Sequence, residues 1–309
     1  MTADVWAILE PKQAAVNRRL AEWADGLVGT CPPVLAEATK YALMGPGKRL
    51  RPLLCILACE AVGGTIEQAL PAACAVEMVH TYSLVHDDLP AMDDDDLRRG
   101  RPTCHVKYGE AMGILAGDAL LTAAFEVLGN SYGPRTVAVA CVELARGAGP
   151  AGMVGGQVLD LIADGRIAVP ITPNPSPTGG EGNLETIHRL KTGALFRSSL
   201  RLGIYAAQAE RPEGVNREHL AAIDEYASAF GLAFQVTDDL LDVESSAEAT
   251  GKRVGKDAAR GKLTYPRVLG VEGSRAKAQA LGRQAVDAAR RLGSHPLAAL
   301  AEFVVTRDR

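Results

Sequence analysis

Apolar residues recur at intervals of three and four along almost the whole chain, and the strict alternation of a half-buried strand is scarce. Ala and Leu abound, and Gly or Pro separates segments of helix length. In 217–243 the residues Leu220, Ile223, Ala227, Phe230, Phe234 and Leu241 form one apolar stripe. The segment 69–89 repeats the pattern, with Pro71 tolerable in its first turn. Further helices are expected around 12–26, 33–43, 50–62, 110–129, 134–147, 184–207, 265–270 and 274–292, with a short one at the C-terminus. These spacings predict an all-α bundle. There is no internal repeat and no nucleotide-binding βαβ unit. One stretch, 169–183, carries four prolines and three glycines and reads as a surface loop within a single domain spanning 1–309.

Composition narrows the partners. The chain has 309 residues, 47% of them hydrophobic, enough for a full core. A net charge of −4 makes neither nucleic acid nor an anionic membrane an obvious partner. No apolar run of membrane-spanning length is evident, stable membrane insertion is not expected, and residues 1–6 lack a basic targeting region, so a soluble cytoplasmic protein is expected. Of the six cysteines, Cys55 and Cys59 lie one helical turn apart, but no second pair at zinc spacing accompanies them. They read as small buried hydrophobes with reduced thiols.

Two aspartate clusters stand out against this background. The first is Asp87-Asp88-Leu-Pro-Ala-Met-Asp93, continuing through Asp96; the second is Asp238-Asp239-Leu-Leu-Asp242. Packed carboxylates repel unless something offsets their charge, and Mg²⁺ bridging carboxylate and phosphate oxygens would do so. Gln235, Asp238, Asp239 and Asp242 fall at i, i+3, i+4 and i+7, one polar stripe on an apolar helix. The alternative is an exposed acidic helix end. In the first cluster, Asp87 and Asp93 would diverge by about 240° on an unbroken helix. Pro90 between them cannot sustain helical hydrogen bonding, so the chain should break there and bring Asp93 back towards Asp87. Asp87 and Asp93 are the expected ligands, with Asp88 in support and Asp94–Asp96 solvated or paired with arginine.

Cations sit close by in sequence. Gly45-Pro-Gly-Lys48-Arg-Leu-Arg51 combines a flexible backbone with paired charges, and Arg98-Arg99 follows the first cluster directly. Guanidinium forks match phosphate oxygens. Lys252, Lys256 and Lys262, each beside a glycine or one residue from it, follow the second cluster, and Lys191-Thr192-Gly193 lies in a helical segment. Any one such group means little; together with two acid clusters they predict an enzyme that handles a diphosphate.

Gly47-Lys48-Arg49-Leu50-Arg51-Pro52, His80 to Gly100, Gly155-Gly156-Gln157-Val-Leu-Asp160-Leu161, Lys191-Thr192-Gly-Ala-Leu and Phe234 to Asp242 occur here in that order. The set resembles the trans-polyprenyl diphosphate synthase family, most of all its bacterial short-chain farnesyl diphosphate synthases. The likeness runs from about residue 40 to the C-terminus; the Pro/Gly-rich stretch at 169–183 looks longer than the family's usual connection.

The resemblance implies the isoprenoid-synthase helical bundle, with both acid clusters facing a central cavity, and a homodimer. It implies head-to-tail condensation: an allylic diphosphate ionises, isopentenyl diphosphate attacks the cation, and a proton leaves. It assigns three Mg²⁺ ions to Asp87, Asp88, Asp93, Asp238, Asp239 and Asp242, and positive charge around the leaving group to Arg98, Lys191, Lys252 and Lys262. Thr192, Gln235 and a backbone carbonyl near Lys191 would stabilise the carbocation, and Lys48, Arg51, His80 and Arg99 would bind isopentenyl diphosphate. The released diphosphate is the expected proton acceptor.

Product length would be set below Asp87. Tyr82 lies five residues back, a depth of about 7.5 Å along a helix. Geometry is mixed, since Ser83 lies about 40° from Asp87 around the helix and Tyr82 about 140°. The resemblance singles out Tyr82 as the floor; the alternative is a tyrosine that merely packs in the core. A C15 product is expected. The rivals are a geranylgeranyl or geranyl diphosphate synthase, a terpene cyclase, and a non-catalytic subunit of a heteromeric synthase. A cyclase would not need cations for a second diphosphate, and a non-catalytic subunit would be expected to have a damaged second motif.

Overall fold

The computed structural model describes residues 2–168, 181–248 and 263–307. As expected, the chain is all-α. The helices are α1 (Thr2–Asp25), α2 (Pro33–Leu43), α3 (Leu50–Ala61), α4 (Ile66–Asp87), α5 (Cys104–Tyr108), α6 (Glu110–Ser131), α7 (Pro134–Ala148), α8 (Met153–Ala163), α9 (Glu181–His188), α10 (Ala194–Gln208), α11 (Arg217–Glu248), α12 (Tyr265–Arg291) and α13 (His295–Thr306). Between α9 and α10 the residues Arg189–Gly193 form a turn of π-helix. The strands are a two-residue pair, β1 (Leu97–Arg98) and β2 (Arg101–Pro102).

Two compact units make up the chain, one of Trp6–Leu144 with Ser199–Val215, the other of Met1–Val5, Ala145–Ser198 and Asn216–Arg309. In the first, α4 is the central element, packed against α3 and α6. Its residues from Ala72 to Val79 are buried without interruption, and all but Glu77 are apolar, as suits a helix enclosed by others. Its start is fixed by a reciprocal capping box: the Thr65 hydroxyl accepts from the Gln68 N–H, and the Gln68 side chain accepts from the Thr65 N–H. In the second unit α11 packs along α12, with Leu184, Val236, Leu240, Tyr265 and Ala278 as a shared core cluster.

Several boundaries differ from the sequence expectation. α1 starts at Thr2 rather than 12, because Pro11 is accommodated inside it. α8, which is glycine-rich, was not expected. The expected helix 184–207 begins at Glu181, so 181–183 are helical rather than loop; residues 169–180 lie outside the described residues. The break expected between 270 and 274 is a kink at Gly270, at φ 72°. Contrary to the expectation of no spanning run, Glu110–Ser131 and Pro134–Ala163 are long and apolar enough to cross a membrane by length and composition. Their Ala-, Gly- and Leu-rich windows tolerate isolated acids such as Asp118 and Glu126 without losing mean hydropathy. Within the first unit, α6 packs against α4, α2 and α5.

Candidate active site

α4 ends at Asp87, and the chain then folds back over the helix end. The Asp93 N–H donates to the Asp87 carbonyl at 2.7 Å, Asp94 to Leu89 at 3.1 Å and Asp95 to Asp88 at 3.2 Å. Three bonds in succession fix the return that Pro90 makes necessary, so Asp93 stands beside Asp87 as expected. Asp88 has a different environment. Its side chain is only 5% exposed, and Arg98 grips both its oxygens, Nε at 2.8 and 3.0 Å and Nη2 at 2.6 Å. Burial raises the Asp88 pKa, and the Arg98 bond opposes but does not cancel that rise.

Arg98 reaches Asp88 from a hairpin. Leu97 pairs with Pro102 and Arg98 with Arg101, leaving Arg99 (φ 53°) and Gly100 (φ 76°) as a two-residue turn with both residues left-handed. Asp88, expected to support the metal, and Arg98, expected on the diphosphate, are thus each other's partner in this structure.

The expected isopentenyl diphosphate residues come together around the Gly45–Arg51 loop. Arg51 donates to His80 Nε2 at 3.1 Å, and Arg99 donates to the Pro46 carbonyl while lying over Gly47. Lys48 is exposed on the same loop. Burial and the guanidiniums of Arg51, Arg99, Arg98 and Arg49 hold the His80 imidazole well below its usual range, so it is neutral and free to accept from Arg51. The loop is braced by Arg49, which sequence reasoning passed over. Arg49 adopts a left-handed conformation (φ 53°) and turns inward. It donates to Glu77 at 2.7 Å, Asn17 at 2.9 Å, the Leu43 carbonyl at 3.1 Å and the Gly45 carbonyl at 2.9 Å. Its flanking cations made it look like one more surface charge; no residue pattern marked it as buried.

The second unit holds Lys191, Thr192, Gln235 and the second aspartate cluster. Lys191 and Thr192 lie in the π turn, a widened turn that often marks functional sites. Lys191 Nζ bonds Asp160 of α8 at 2.5 Å. α8 approaches so closely that a Cβ on Gly156 would fall 2.1 Å from the Lys191 backbone nitrogen, which explains the glycine at that position. On α11, Asp238 pairs with Arg307, just past α13, and the Arg307 guanidinium also covers the Phe234 ring at 4.3 Å. Asp239 accepts from the Tyr265 N–H at 2.9 Å, at the start of α12. Asp242 is exposed. Gln235 Oε1 lies 2.8 Å from His188 Nδ1. Arg307 and His188 were both missed by sequence reasoning, the first as a terminal residue, the second for want of a signal stronger than a histidine before a basic run. Lys252, Lys256 and Lys262 lie outside the described residues.

Among the described residues no three Asp, Glu, His or Cys groups converge on one point. The donors are hard carboxylate oxygens, paired at the end of α4 and along α11. Such a set fits Mg²⁺ ions whose coordination is completed by phosphate oxygens and water rather than by an all-protein cage.

Tyr82 is buried in α4, its ring edge-on to His86 at 5.7 Å. His86 Nε2 contacts the Ile114 carbonyl at 3.0 Å and occupies the space left by Gly117, where a Cβ would come within 2.1 Å of it. Ser83 donates back to the His80 carbonyl at 2.8 Å.

The Polyprenyl synthetase family profile matches residues 32–292. The chain is 47% identical over 285 residues to geranylgeranyl pyrophosphate synthase 9 of Arabidopsis thaliana, covering 89% of this chain and 75% of that protein. It is 44% identical over 303 residues to the geranylgeranyl pyrophosphate synthase of Capsicum annuum, covering 96% and 77%. Among solved structures, an FPP/GFPP synthase from Zymomonas mobilis superimposes with a TM-score of 0.82 at 34% identity, covering 99% of this chain and all of that one. A geranyltransferase from Legionella pneumophila gives 0.78 at 30%, covering 97% and 98%. With the ordered motifs, the helical fold and these likenesses in agreement, the chain belongs to the polyprenyl synthetase family, the trans-prenyl diphosphate synthases, and is a prenyltransferase.

Proposed function

We propose that the chain condenses isopentenyl diphosphate head-to-tail with dimethylallyl and then geranyl diphosphate, releasing farnesyl diphosphate. The observation that carries the C15 length is the bracing of Tyr82. Its ring rests on His86, and His86 is held against α6 by Ile114 and Gly117, so the phenol cannot swing aside as a free rotamer would. A chain growing from Asp87 along the face of α4 that carries Tyr82 would reach this aromatic after about 7.5 Å of helix.

In this reading, Asp87 and Asp93 in the one unit, and Asp238 and Asp242 in the other, would hold Mg²⁺ ions, which would supply positive charge to a departing diphosphate. Arg51, Arg99 and Lys48 hold isopentenyl diphosphate, while neutral His80 accepts from Arg51 and sets its fork. Lys191, fixed by Asp160, supplies positive charge at the leaving group. Thr192 and Gln235 direct oxygen dipoles at the carbocation, a preorganised arrangement of the kind that contributes most to such steps. Asp88 and Asp239 serve the framework: Asp88 anchors the Arg98 hairpin and Asp239 holds the start of α12.

A second reading, a C20 product, is favoured by the names of the plant relatives. Replacing Tyr82 with Ala separates the two. If Tyr82 is the floor, wild-type enzyme stops at C15 and Tyr82→Ala continues to C20 or beyond; the same product from both contradicts the floor. We also propose self-association through α6 and α7, where Ile114 and Leu115 on the one helix and Val139 and Val142 on the other are exposed. Sedimentation of the purified protein as a monomer would contradict it.

A further inference from the structure

His188 touches several parts of the second motif at once. Its Nδ1 lies 2.8 Å from Gln235 Oε1, and its ring stacks on Tyr265 with centroids 5.6 Å apart and planes 20° apart. Its Nε2 faces Asp239 Oδ2 across 3.9 Å, beyond direct hydrogen-bond range. Asp239 in turn accepts from the Tyr265 N–H. The imidazole and the Asp239 carboxylate are only 12% and 14% exposed. His188 is also the residue from which the π turn carrying Lys191 and Thr192 departs.

We propose that His188 is a positioning residue whose Nδ1–H fixes the Gln235 amide with its oxygen, not its NH₂, available to the carbocation. The two ends of a glutamine amide have nearly the same shape, and only their partners decide which way the group turns. An N–H at His188 can donate only to the oxygen end. A carbonyl oxygen has two lone pairs, so one remains for the developing positive charge after the histidine is satisfied. Rotated by 180°, the amide would present N–H dipoles of the wrong sign to the same charge. The stack on Tyr265 holds the ring plane, so the donor direction is set by packing rather than by a mobile rotamer. The inference deepens the proposed role of Gln235 and rests on it.

Two measurements test it. The tautomer is read directly from long-range ¹H–¹⁵N spectra of histidine-labelled wild-type protein, with the His188 signals assigned by their loss in His188→Asn. A proton on Nδ1 is expected; a ring protonated only on Nε2 overturns the proposal, whatever the product length. The second is kinetic. His188→Phe keeps the ring stack but removes the donor, and should lower kcat by about tenfold or more with KM for both diphosphates nearly unchanged. His188→Asn places an amide N–H near the Nδ1 position and should recover most of that loss. In a Gln235→Leu background, His188→Phe should cost almost nothing further, because the group it orients is gone. Equal losses in Phe and Asn variants, or additive losses in the double variant, overturn the proposal. A Gln235→Leu enzyme with wild-type kcat removes the role of Gln235 itself, a failure distinct from the wrong tautomer.

Discussion

Replacing Arg49 with Met should unfold much of what holds the diphosphate loop, and the size of the effect follows from its partners. Arg49 and Glu77 form an ion pair at 2.7 Å with side chains 5% and 4% exposed. Glu77 Oε2 is buried with no hydrogen-bond partner among the described residues, so the carboxylate depends on Arg49 through its other oxygen. Breaking a buried pair by removing one member leaves an uncompensated charge and costs about 3–5 kcal/mol, a large share of the roughly 5–15 kcal/mol by which domains are stable. The remaining bonds, to Asn17, Leu43 and Gly45, add about 1 kcal/mol each. Equilibrium urea unfolding of Arg49→Met should therefore show a markedly lower midpoint. The double variant Arg49→Met, Glu77→Leu removes both charges and should regain most of the stability. Its KM for isopentenyl diphosphate should stay high, because the Leu43 and Gly45 carbonyls are still released. A single variant within about 1 kcal/mol of wild type, or a double variant no more stable than the single one, would refute the reasoning.

Other predictions concern the second motif and pH. Gly156→Ala puts a Cβ 2.1 Å from the Lys191 nitrogen, a backbone clash that no rotamer relieves; the π turn must shift, at about 1–3 kcal/mol of stability, and kcat should fall with it. Steady-state kinetics indistinguishable from wild type would contradict the packing argument. His80 has a depressed pKa, so below its unfolded value of about 6.5 the unfolded chain binds more protons than the folded one. Its stabilising contribution is full above that pH and is lost as pH falls towards the folded value, by at most about 1.4 kcal/mol per pH unit. The stability difference between wild type and His80→Gln should accordingly shrink on acidification, and a pH-independent difference would show the imidazole is not held neutral. Arg307 occupies Asp238, so Arg307→Met should lower the Mg²⁺ concentration for half-maximal activity. An unchanged or higher requirement would mean that the pair does not compete with the metal.

The helical fold and the main motif geometry were legible because both depend on local chemistry. Helical spacing marked α2, α3, α4, α6 and α11 to within a few residues, and Pro90 alone predicted the return of Asp93 towards Asp87. What escaped depends on contacts between distant segments. The glycines of α8 look like helix breakers until Gly156 is seen against the Lys191 backbone. The π turn at Arg189–Gly193 leaves the helical period almost intact and carries no composition of its own. The hairpin was hidden because its strands are two residues long; the Arg99-Gly100 turn was its one signal. Charges were the hardest to read. Arg49, passed over as one more surface charge, is buried against Glu77, and Asp88 and Arg98, expected beside the metal and on the diphosphate, are paired with each other in this structure.

The measurement that bears most directly on the account is the product of the wild-type enzyme. Purified protein is incubated with isopentenyl and dimethylallyl diphosphate, with and without Mg²⁺, and the alcohols are sized after phosphatase treatment. The account predicts metal-dependent formation of a C15 alcohol and nothing longer. A C20 product would keep the condensation and discard Tyr82 as its limit; no elongation in the presence of Mg²⁺ would contradict the catalytic reading of both aspartate motifs.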